Sequence, residues 1–220
     1  MVKYSKKHHI NALIKRGNIR IGTLHEYRNS EYEEGIHDNS EGLKRVHIRG
    51  RELDLSDKNP NSRNIKENFL GGCIQGDVKF ILNSECEEAD LPSIFVREVD
   101  TPNCLVFCAS AKRNELVPKI FKYNAGVKIV NPEKFIEVLS KHLKILHGAE
   151  LIYFDKIKYY TKDEEWNGSD FGDNPMFYKD ESFAYQDEIR AIWKMPVDKV
   201  DPVILEIPEL TKYCHQIRLD

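Results

Sequence analysis

The feature that most constrains the fold is the scarcity of helical periodicity in a chain of 220 residues. One long amphipathic helix is predicted over 132–147, because Asn131 can cap it, Pro132 suits its first turn and Gly148 follows its end. Its apolar stripe consists of Phe135, Val138, Leu139, Leu143 and Leu146. Short runs of apolar residues predict strands over much of the remaining chain. Few helices among many short strands favour an α+β fold over a doubly wound sheet.

The other predicted elements are short and follow one another without an evident domain boundary. A helix is predicted over about 9–16, and Gly17 suits the position just beyond its end. Strands are predicted at 2–6, 19–24, 46–48, 77–82, 93–97, 104–108, 151–160, 188–193 and 202–207. The polar region 25–68 and the acidic region 161–180 are predicted to be mainly loops, and long loops in compact domains are commonly functional. We therefore expect a single domain over 1–220.

The composition excludes two classes of protein. With 40% hydrophobic and 31% charged residues, the chain has enough apolar material for a core and is not mainly disordered. The 33 basic residues nearly balance the 36 acidic ones, which excludes a generally basic nucleic-acid coat protein. The basic residues nevertheless gather in the first 51 or so positions, and acidic residues gather at 85–90 and 163–188. A local basic patch facing an anionic ligand remains compatible with this distribution.

The chain carries no apolar run of the roughly 18 residues that a membrane helix needs. The N-terminal residues lack the apolar core of a secretory signal, so we expect a cytoplasmic protein without a membrane partner. The cysteines do not form a C-x-x-C pair, and we expect them to be reduced and mostly buried thiols; they are Cys73, Cys86, Cys104, Cys108 and Cys214.

The sharpest candidate for chemistry is the point where a polar loop enters an apolar strand near the C-terminus. Gln186 and Glu188 are two residues apart, so on an extended chain both point to the same side. A carboxylate held there could accept a ribose hydroxyl, stabilise a cationic sugar or act as a general base. Arg190 shares this face, so a surface ion pair of little energetic value is an alternative explanation for Glu188.

Three further constellations lie upstream of this point. Tyr4 and Lys6 stand on a predicted strand that precedes a short helix and a glycine, and Ser110 follows an apolar strand. Ordinary turn chemistry is the alternative explanation for both of these. In the segment from Thr23 to Glu41, Tyr27 could stack on a base or a nicotinamide ring and Arg28 could bind a phosphate.

The same segment allows two other interpretations. Glu31, Asp38 and Glu41 could gather a divalent cation, which would suit a metal-dependent nuclease. A solvated acidic loop without a ligand is the third possibility for these residues. The standard glycine-rich phosphate loops, the dinucleotide fingerprint and the serine-hydrolase elbow are absent from the sequence.

These pieces, in this order, resemble the ADP-ribosyltransferase superfamily. The run from His9 to Gly17 is similar to the short helix that follows the superfamily's first strand, and the run from Lys6 to Leu24 resembles the opening of bacterial DarT-type toxins. Ser110 is similar in position to the polar residue of a middle strand. The sequence Gln186-Asp187-Glu188 resembles the Q-x-E motif that begins a late strand.

The resemblance implies a split mixed or antiparallel sheet with NAD, the co-substrate, in the cleft between its halves. It implies that Glu188 stabilises the ribose cation and that Gln186 positions the acceptor. Tyr4 or Lys6 would be the ligand-binding residue of the first strand. Tyr27 would stack near nicotinamide, and Arg28 would hold the diphosphate. Thr23 and Ser110 would supply secondary hydrogen bonds.

The resemblance also implies a class of activity, which is transfer of ADP-ribose from NAD to a macromolecule. Small bacterial enzymes of this type are commonly toxins of toxin–antitoxin or phage-defence systems, so an antitoxin protein is an implied partner. Nucleic acid, either RNA or DNA, is the favoured acceptor and protein is the second choice. The alternatives are the metal-dependent nuclease described above and a non-catalytic module that senses a nucleotide on the same fold.

Overall fold

The computed structural model describes residues 1–28, 38–49, 94–167 and 172–219, and within these ranges the chain has the predicted α+β character. The helices are α1 (Lys7–Arg16), α2 (Leu116–Ile120) and α3 (Pro132–His147). The strands are β1 (Val2–Ser5), β2 (Asn18–Thr23), β3 (Leu43–Arg49), β4 (Ile94–Asp100), β5 (Leu105–Ser110), β6 (Ala125–Ile129), β7 (Glu150–Lys156), β8 (Lys158–Tyr159), β9 (Asp163–Glu165), β10 (Tyr178–Lys179), β11 (Glu188–Lys194), β12 (Val203–Glu206) and β13 (Cys214–Ile217).

The two predicted helices are confirmed, together with the residues that end them. Gly17 follows α1 with a φ of 68°, and a Cβ atom there would lie 1.7 Å from the carbonyl oxygen of Ile207, so only glycine fits. Gly148 ends α3 in the same left-handed conformation. The predicted stripe of α3 is wrong at Leu146, which is 60% exposed, whereas Ile136 is buried in its place. The buried face of α3 consists of Phe135, Ile136, Leu139 and Leu143, so it is turned slightly around the helix axis from the predicted face.

Asn131→Ala is expected to lower the free energy of unfolding by about 1 kcal/mol, because it removes the N-cap of α3. The Asn131 side chain accepts a hydrogen bond from the backbone N–H of Lys134 at 3.1 Å. Urea denaturation of the wild type and the variant measures the loss. Asn131→Asp is the matched control and keeps the acceptor, so equal losses in the two variants would contradict the assigned cap.

The main sheet has β5 at its centre and eight antiparallel strands within the described residues. Along one edge, β5 pairs with β11 over its whole length, from Ser110 opposite Glu188 to Leu105 opposite Trp193. The other edge of β5 is shared, because β2 pairs with its beginning and β1 pairs at Ser110. The sheet therefore divides along this edge, with β12 beyond β2 and with β6 and β13 beyond β1.

The loop predictions were only partly correct. The described part of 25–68 holds a single 3-10 turn at His25–Arg28 and strand β3, which is longer than the predicted 46–48 and pairs with β4. The predicted loop at 161–180 contains β9 and β10, and the predicted strand at 151–160 is interrupted at Ile157. The predicted strand at 77–82 lies outside the described residues. Strands β6 and β13 and helix α2 were not predicted.

The core lies between the main sheet and the helices α1 and α3. Ala191 and Trp193 belong to it, and Ile192 is buried on the opposite face against Leu24 and Val106. Three of the cysteines are described, and all are free thiols, with Cys104 and Cys214 buried. No helix within the described part of the chain is long and apolar enough to cross a membrane.

Candidate active site

A pocket opens where the sheet divides, at the end of β5. There Ser110 lies between Val2 of β1 and Glu188 of β11, so the central strand brings the two outer strands to one place. The polar wall consists of Lys3, Ser110, Lys179, Gln186, Glu188 and Arg190. The apolar and aromatic wall includes Val2, Tyr4, Tyr27, Val117, Phe121 and Tyr123. The space between these walls is about 590 Å³ when the part open to solvent is included.

Five of the eight site residues predicted from the sequence line this one pocket. They are Tyr4, Tyr27, Ser110, Gln186 and Glu188, and they come from positions as far apart as the first and the eleventh strand. Tyr4 is buried, and its hydroxyl accepts a hydrogen bond from the backbone N–H of Asn114 at 2.7 Å. Ser110 is also buried. These five predicted residues therefore share one pocket, although the sequence does not indicate how they contact one another.

The other three predicted residues do not line the pocket. The Lys6 ammonium donates to the carbonyl of Lys122 at 3.4 Å, outside the pocket wall. Thr23 is buried, and its hydroxyl accepts the backbone N–H of Glu26 as part of the turn after β2. Arg28 binds the carboxylate of Asp100 at 2.7 Å and the carbonyl of Glu41 at 2.6 Å. These contacts give Lys6, Thr23 and Arg28 structural partners in place of the predicted ligand.

Four charged side chains form a buried cluster, and all of them except Glu41 belong to the polar wall. The Arg190 guanidinium donates from Nε to Glu188 Oε1 at 2.7 Å and from Nη1 to Glu41 Oε1 at 2.8 Å. The Lys179 ammonium donates to Glu188 Oε2 at 3.2 Å and to Gln186 Oε1 at 2.9 Å. Arg190 and Glu41 are fully buried. The ion pair between Glu188 and Arg190 exists, but the expectation that it lies on the surface is wrong.

The cluster keeps Glu188 ionised. Burial on its own would raise the pKa of Glu188, but the charges of Arg190 and Lys179 outweigh it and hold the pKa well below its usual range. The two carboxylates likewise keep the pKa of Lys179 above its usual value, against the effect of burial. An ionised carboxylate offers about four acceptor positions. Glu188 can therefore accept a ligand hydroxyl in addition to the groups that already hold it.

Two polar atoms of the cluster have no hydrogen-bond partner among the described residues. They are Nη2 of Arg190 and Oε2 of Glu41, and both are buried. A buried donor without a partner is costly, so such atoms call for an explanation. Arg190 lines the pocket, and its unpaired N–H groups are suited to a ligand oxygen. Lys3 also lines the pocket, where its ammonium donates to the Cys108 carbonyl at 2.7 Å.

The backbone before β11 aims Glu188 into the pocket. Gln186 ends a 3-10 turn (Glu181–Gln186), so the prediction that it lies on an extended chain with Glu188 is wrong. Asp187 then adopts a left-handed conformation with a φ of 42° and ends the 3-10 turn directly before the strand. Its carbonyl accepts from the backbone N–H of Ala111 at 2.7 Å. Gln186 and Glu188 therefore reach the same pocket because of this turn, and not because they alternate along one strand.

The wild-type protein is expected to lose stability faster in acid than a Glu188→Gln variant. Folding lowers the pKa of Glu188 from its ordinary value of 4.5. Ionised Glu188 therefore stabilises the folded protein at pH values above 4.5, and this stabilisation is lost progressively as the pH falls below 4.5. The amide of glutamine does not titrate. Urea denaturation between about pH 7 and pH 3 measures the free energy of unfolding of both proteins. The advantage of the wild type over the variant should become smaller as the pH falls. Parallel stability curves for the two proteins would contradict the assigned charge state.

The carboxylates proposed for a metal-dependent nuclease are occupied by cations of the chain. Asp38 is buried and accepts from Lys162 at 2.9 Å, and Glu41 accepts from Arg190. Glu31 lies outside the described residues. A metal ion would have to displace both cations, and no group of three possible metal ligands is found within the described residues.

Lys3 and Lys179 belong to the site but were not predicted from the sequence, and Glu41 was considered only as a metal ligand. Glu41 is 149 residues from Arg190, and no local pattern indicates that pairing. Lys179 could have been found, since it precedes the 3-10 turn that ends in Gln186. Cys108 also lines the pocket, but burial raises its pKa to about 12, so it is a thiol and not a nucleophilic thiolate at neutral pH.

Comparisons with protein-family models, with curated proteins and with solved structures each found no match to this chain.

Proposed function

We propose that this protein is an enzyme that cleaves NAD and transfers the ADP-ribose unit to a macromolecule. The observation that carries the proposal is the position of Glu188. This ionised carboxylate lies on the wall of one pocket with Tyr4, Tyr27 and Ser110. The resemblance to the ADP-ribosyltransferase superfamily selects the same residues from the sequence.

The residues of the pocket fit the chemical groups of NAD. The charges of Glu41 and Glu188 balance those of Lys179 and Arg190, so Lys3 leaves the site with one extra positive charge that suits a diphosphate. The unpaired Nη2 of Arg190 supplies a donor for a ligand oxygen. Tyr27, Phe121 and Tyr123 give aromatic surface for a flat ring such as nicotinamide.

NAD supplies a ribose–nicotinamide bond whose cleavage leaves positive charge on the ribose. Glu188 is suited to accept a ribose hydroxyl and to stabilise that charge inside a pocket that limits the access of water. Arg190 and Lys179 hold the carboxylate ionised and fixed in direction, so it needs no reorganisation during the reaction. Gln186 donates a side-chain hydrogen bond to the Tyr185 hydroxyl and faces the same pocket, where it can orient the acceptor.

Incubation of the purified protein with adenine-labelled NAD tests the proposal directly. Chromatography measures the nicotinamide that is released and so reports NAD cleavage. Label on the RNA, DNA or protein of a bacterial lysate reports transfer. We expect both in the wild type. Degradation of nucleic acid that requires Mg²⁺, with NAD left intact, would contradict the proposal and favour the nuclease. Tight nucleotide binding without any turnover would contradict it in favour of a sensing module.

A further inference from the structure

Two cations hold the carboxylate of Glu188, and together they carry more charge than it does. The Nε atom of Arg190 lies 2.7 Å from one carboxylate oxygen, and the Lys179 ammonium lies 3.2 Å from the other. All three side chains are buried, so water screens their charges only weakly. Taken alone, these three groups have an excess positive charge and would repel a ribose on which positive charge develops.

Glu41 supplies the negative charge that balances this set. Its Oε1 accepts from Arg190 Nη1 at 2.8 Å, and its Oε2 lies 3.8 Å from the Lys179 ammonium. Each cation is therefore shared between two carboxylates, and the four groups together are neutral. Glu41 is fully buried and does not belong to the pocket wall. Its carboxylate consequently affects a bound ligand through the two cations and not by direct contact.

The hydrogen bond from Arg190 to Glu41 also fixes the direction of the guanidinium. Because this group is planar, the acceptors on Nε and Nη1 determine where Nη2 points. Glu188 accepts from Nε, whereas Glu41 and the carbonyl of Met176 accept from Nη1. The remaining Nη2, which has no partner within the described residues, is thereby held in one position on a side chain that lines the pocket.

The loop that carries Glu41 is held on both sides of this residue. The backbone N–H of Glu41 donates to the Asp38 carbonyl at 2.9 Å, and the Glu41 carbonyl accepts from Arg28 Nε at 2.6 Å. The Lys162 ammonium donates to the Asp38 carboxylate at 2.9 Å and to the Ser40 carbonyl at 2.6 Å. Glu41 therefore enters the cluster from a preorganised loop, and its charge needs no rearrangement during a reaction.

Stability does not explain why a second carboxylate is buried here. Oε2 of Glu41 has no hydrogen-bond partner among the described residues, and a buried acceptor in that state costs free energy. A buried ionic cluster is often no more stable than an apolar core of the same volume. A role in the chemistry of the pocket accounts for this cost.

We infer that Glu41 is a positioning residue for NAD cleavage, and that its charge allows Glu188 to stabilise the ribose cation. This inference rests on the proposed function. As the bond between the ribose carbon and the nicotinamide nitrogen breaks, the electron pair goes to nicotinamide and positive charge stays on the ribose. With Glu41 ionised, the two buried cations are balanced and the charge of Glu188 can act on this ribose. Without Glu41, the excess positive charge of the cluster opposes the reaction.

Glu41→Gln tests the inference, and Asp38→Asn is its matched control. Both variants remove one buried carboxylate from the same loop and keep an oxygen that can accept a hydrogen bond. We expect kcat for nicotinamide release to fall about tenfold in Glu41→Gln, because a buried unbalanced cation opposes positive charge in the transition state. KM for NAD should not rise, since NAD carries a diphosphate and the pocket becomes more positive. Asp38 forms its ion pair with Lys162, so Asp38→Asn should lose stability but keep kcat near the wild-type value.

A compensating double variant separates charge balance from damage to the fold. Glu41→Gln/Lys179→Met removes one anion and one cation, and it leaves Glu188 paired with Arg190. Its kcat should exceed that of Glu41→Gln, and its free energy of unfolding should be larger, since no buried cation is left unbalanced. Where Glu41→Gln does not fold, the double variant still gives a result: it should fold and cleave NAD, and a folded double variant without cleavage would overturn the inference.

The outcomes separate this inference from the proposed function. A wild-type kcat in folded Glu41→Gln, an equal loss of kcat in Asp38→Asn, or a rise in KM alone would overturn the role of Glu41 and leave the proposed function standing. A double variant that turns over no faster than Glu41→Gln would do the same. A wild type that does not cleave NAD would overturn the proposed function, and the inference with it.

Discussion

Glu188→Gln is expected to lower the rate of NAD cleavage by about 10²- to 10³-fold, because it removes the charge that stabilises the ribose cation. Glutamine keeps the size of the side chain and one oxygen that can accept from Arg190. The pocket should still form and still bind NAD. The loss should therefore fall on kcat, with a smaller effect on KM, since the missing interaction is strongest in the transition state.

The measurement is nicotinamide release at saturating NAD, with circular dichroism and thermal unfolding to verify the fold. Glu98→Gln is the matched control, because Glu98 is exposed and pairs only loosely with Arg45, at 3.7 Å. It should cleave NAD at the wild-type rate. A folded Glu188→Gln variant with undiminished turnover would remove Glu188 from the mechanism.

Arg190→Met is expected to cause the largest loss of stability of any change in the site, about 3–5 kcal/mol. Arg190 is fully buried and is the hydrogen-bond donor that joins Glu41 to Glu188. Without it the two carboxylates share one buried cation, Lys179, and one negative charge is left without a partner. The loss arises because a buried charge is left unpaired. It does not imply that the intact cluster is more stable than an apolar core of the same size would be.

A double-mutant cycle separates the cost of the unpaired charge from the contribution of the cluster as a whole. In Glu41→Gln/Arg190→Met one carboxylate and the guanidinium are removed together, and Glu188 keeps Lys179 at 3.2 Å. The double variant should be more stable than the sum of the two single losses predicts. Arg45→Met removes an arginine from an exposed pair and should change the free energy of unfolding by less than about 1 kcal/mol. Additive losses at Glu41 and Arg190, measured by urea denaturation, would show that the cluster does not act as a unit.

The sequence predicted those elements whose ends depend on local chemistry. Helices α1 and α3 end at Gly17 and Gly148, where a left-handed conformation follows the last turn and glycine tolerates it. Strand β11 was predicted because an apolar run begins directly after a polar loop. Strands β6 and β13 were not predicted: β6 pairs with β1 and with β13, and a local sequence pattern does not reveal these pairings between distant segments.

Five of the eight predicted site residues line one pocket, but the contacts that hold them were not predicted. Glu188 carried a recognisable local pattern, and the order of the other motifs led to Tyr4, Tyr27 and Ser110. The residues that set its charge state come from distant parts of the chain, and their roles depend on tertiary contacts that one sequence does not reveal. Lys6 and Arg28 looked equally suitable as ligand-binding cations, but the fold commits Arg28 to Asp100 and positions Lys3 and Lys179 in the pocket wall.

The proposed role of Glu188 can be tested with a crystal structure of the protein bound to a non-hydrolysable NAD analogue. We expect the nicotinamide ribose in the pocket, with one of its hydroxyl oxygens about 2.6–3.2 Å from a carboxylate oxygen of Glu188. We also expect a ligand oxygen within hydrogen-bond distance of Arg190 Nη2, the buried donor that has no partner among the described residues. An analogue bound elsewhere on the protein, or in the pocket with its ribose turned away from Glu188, would rule out the proposed role of Glu188.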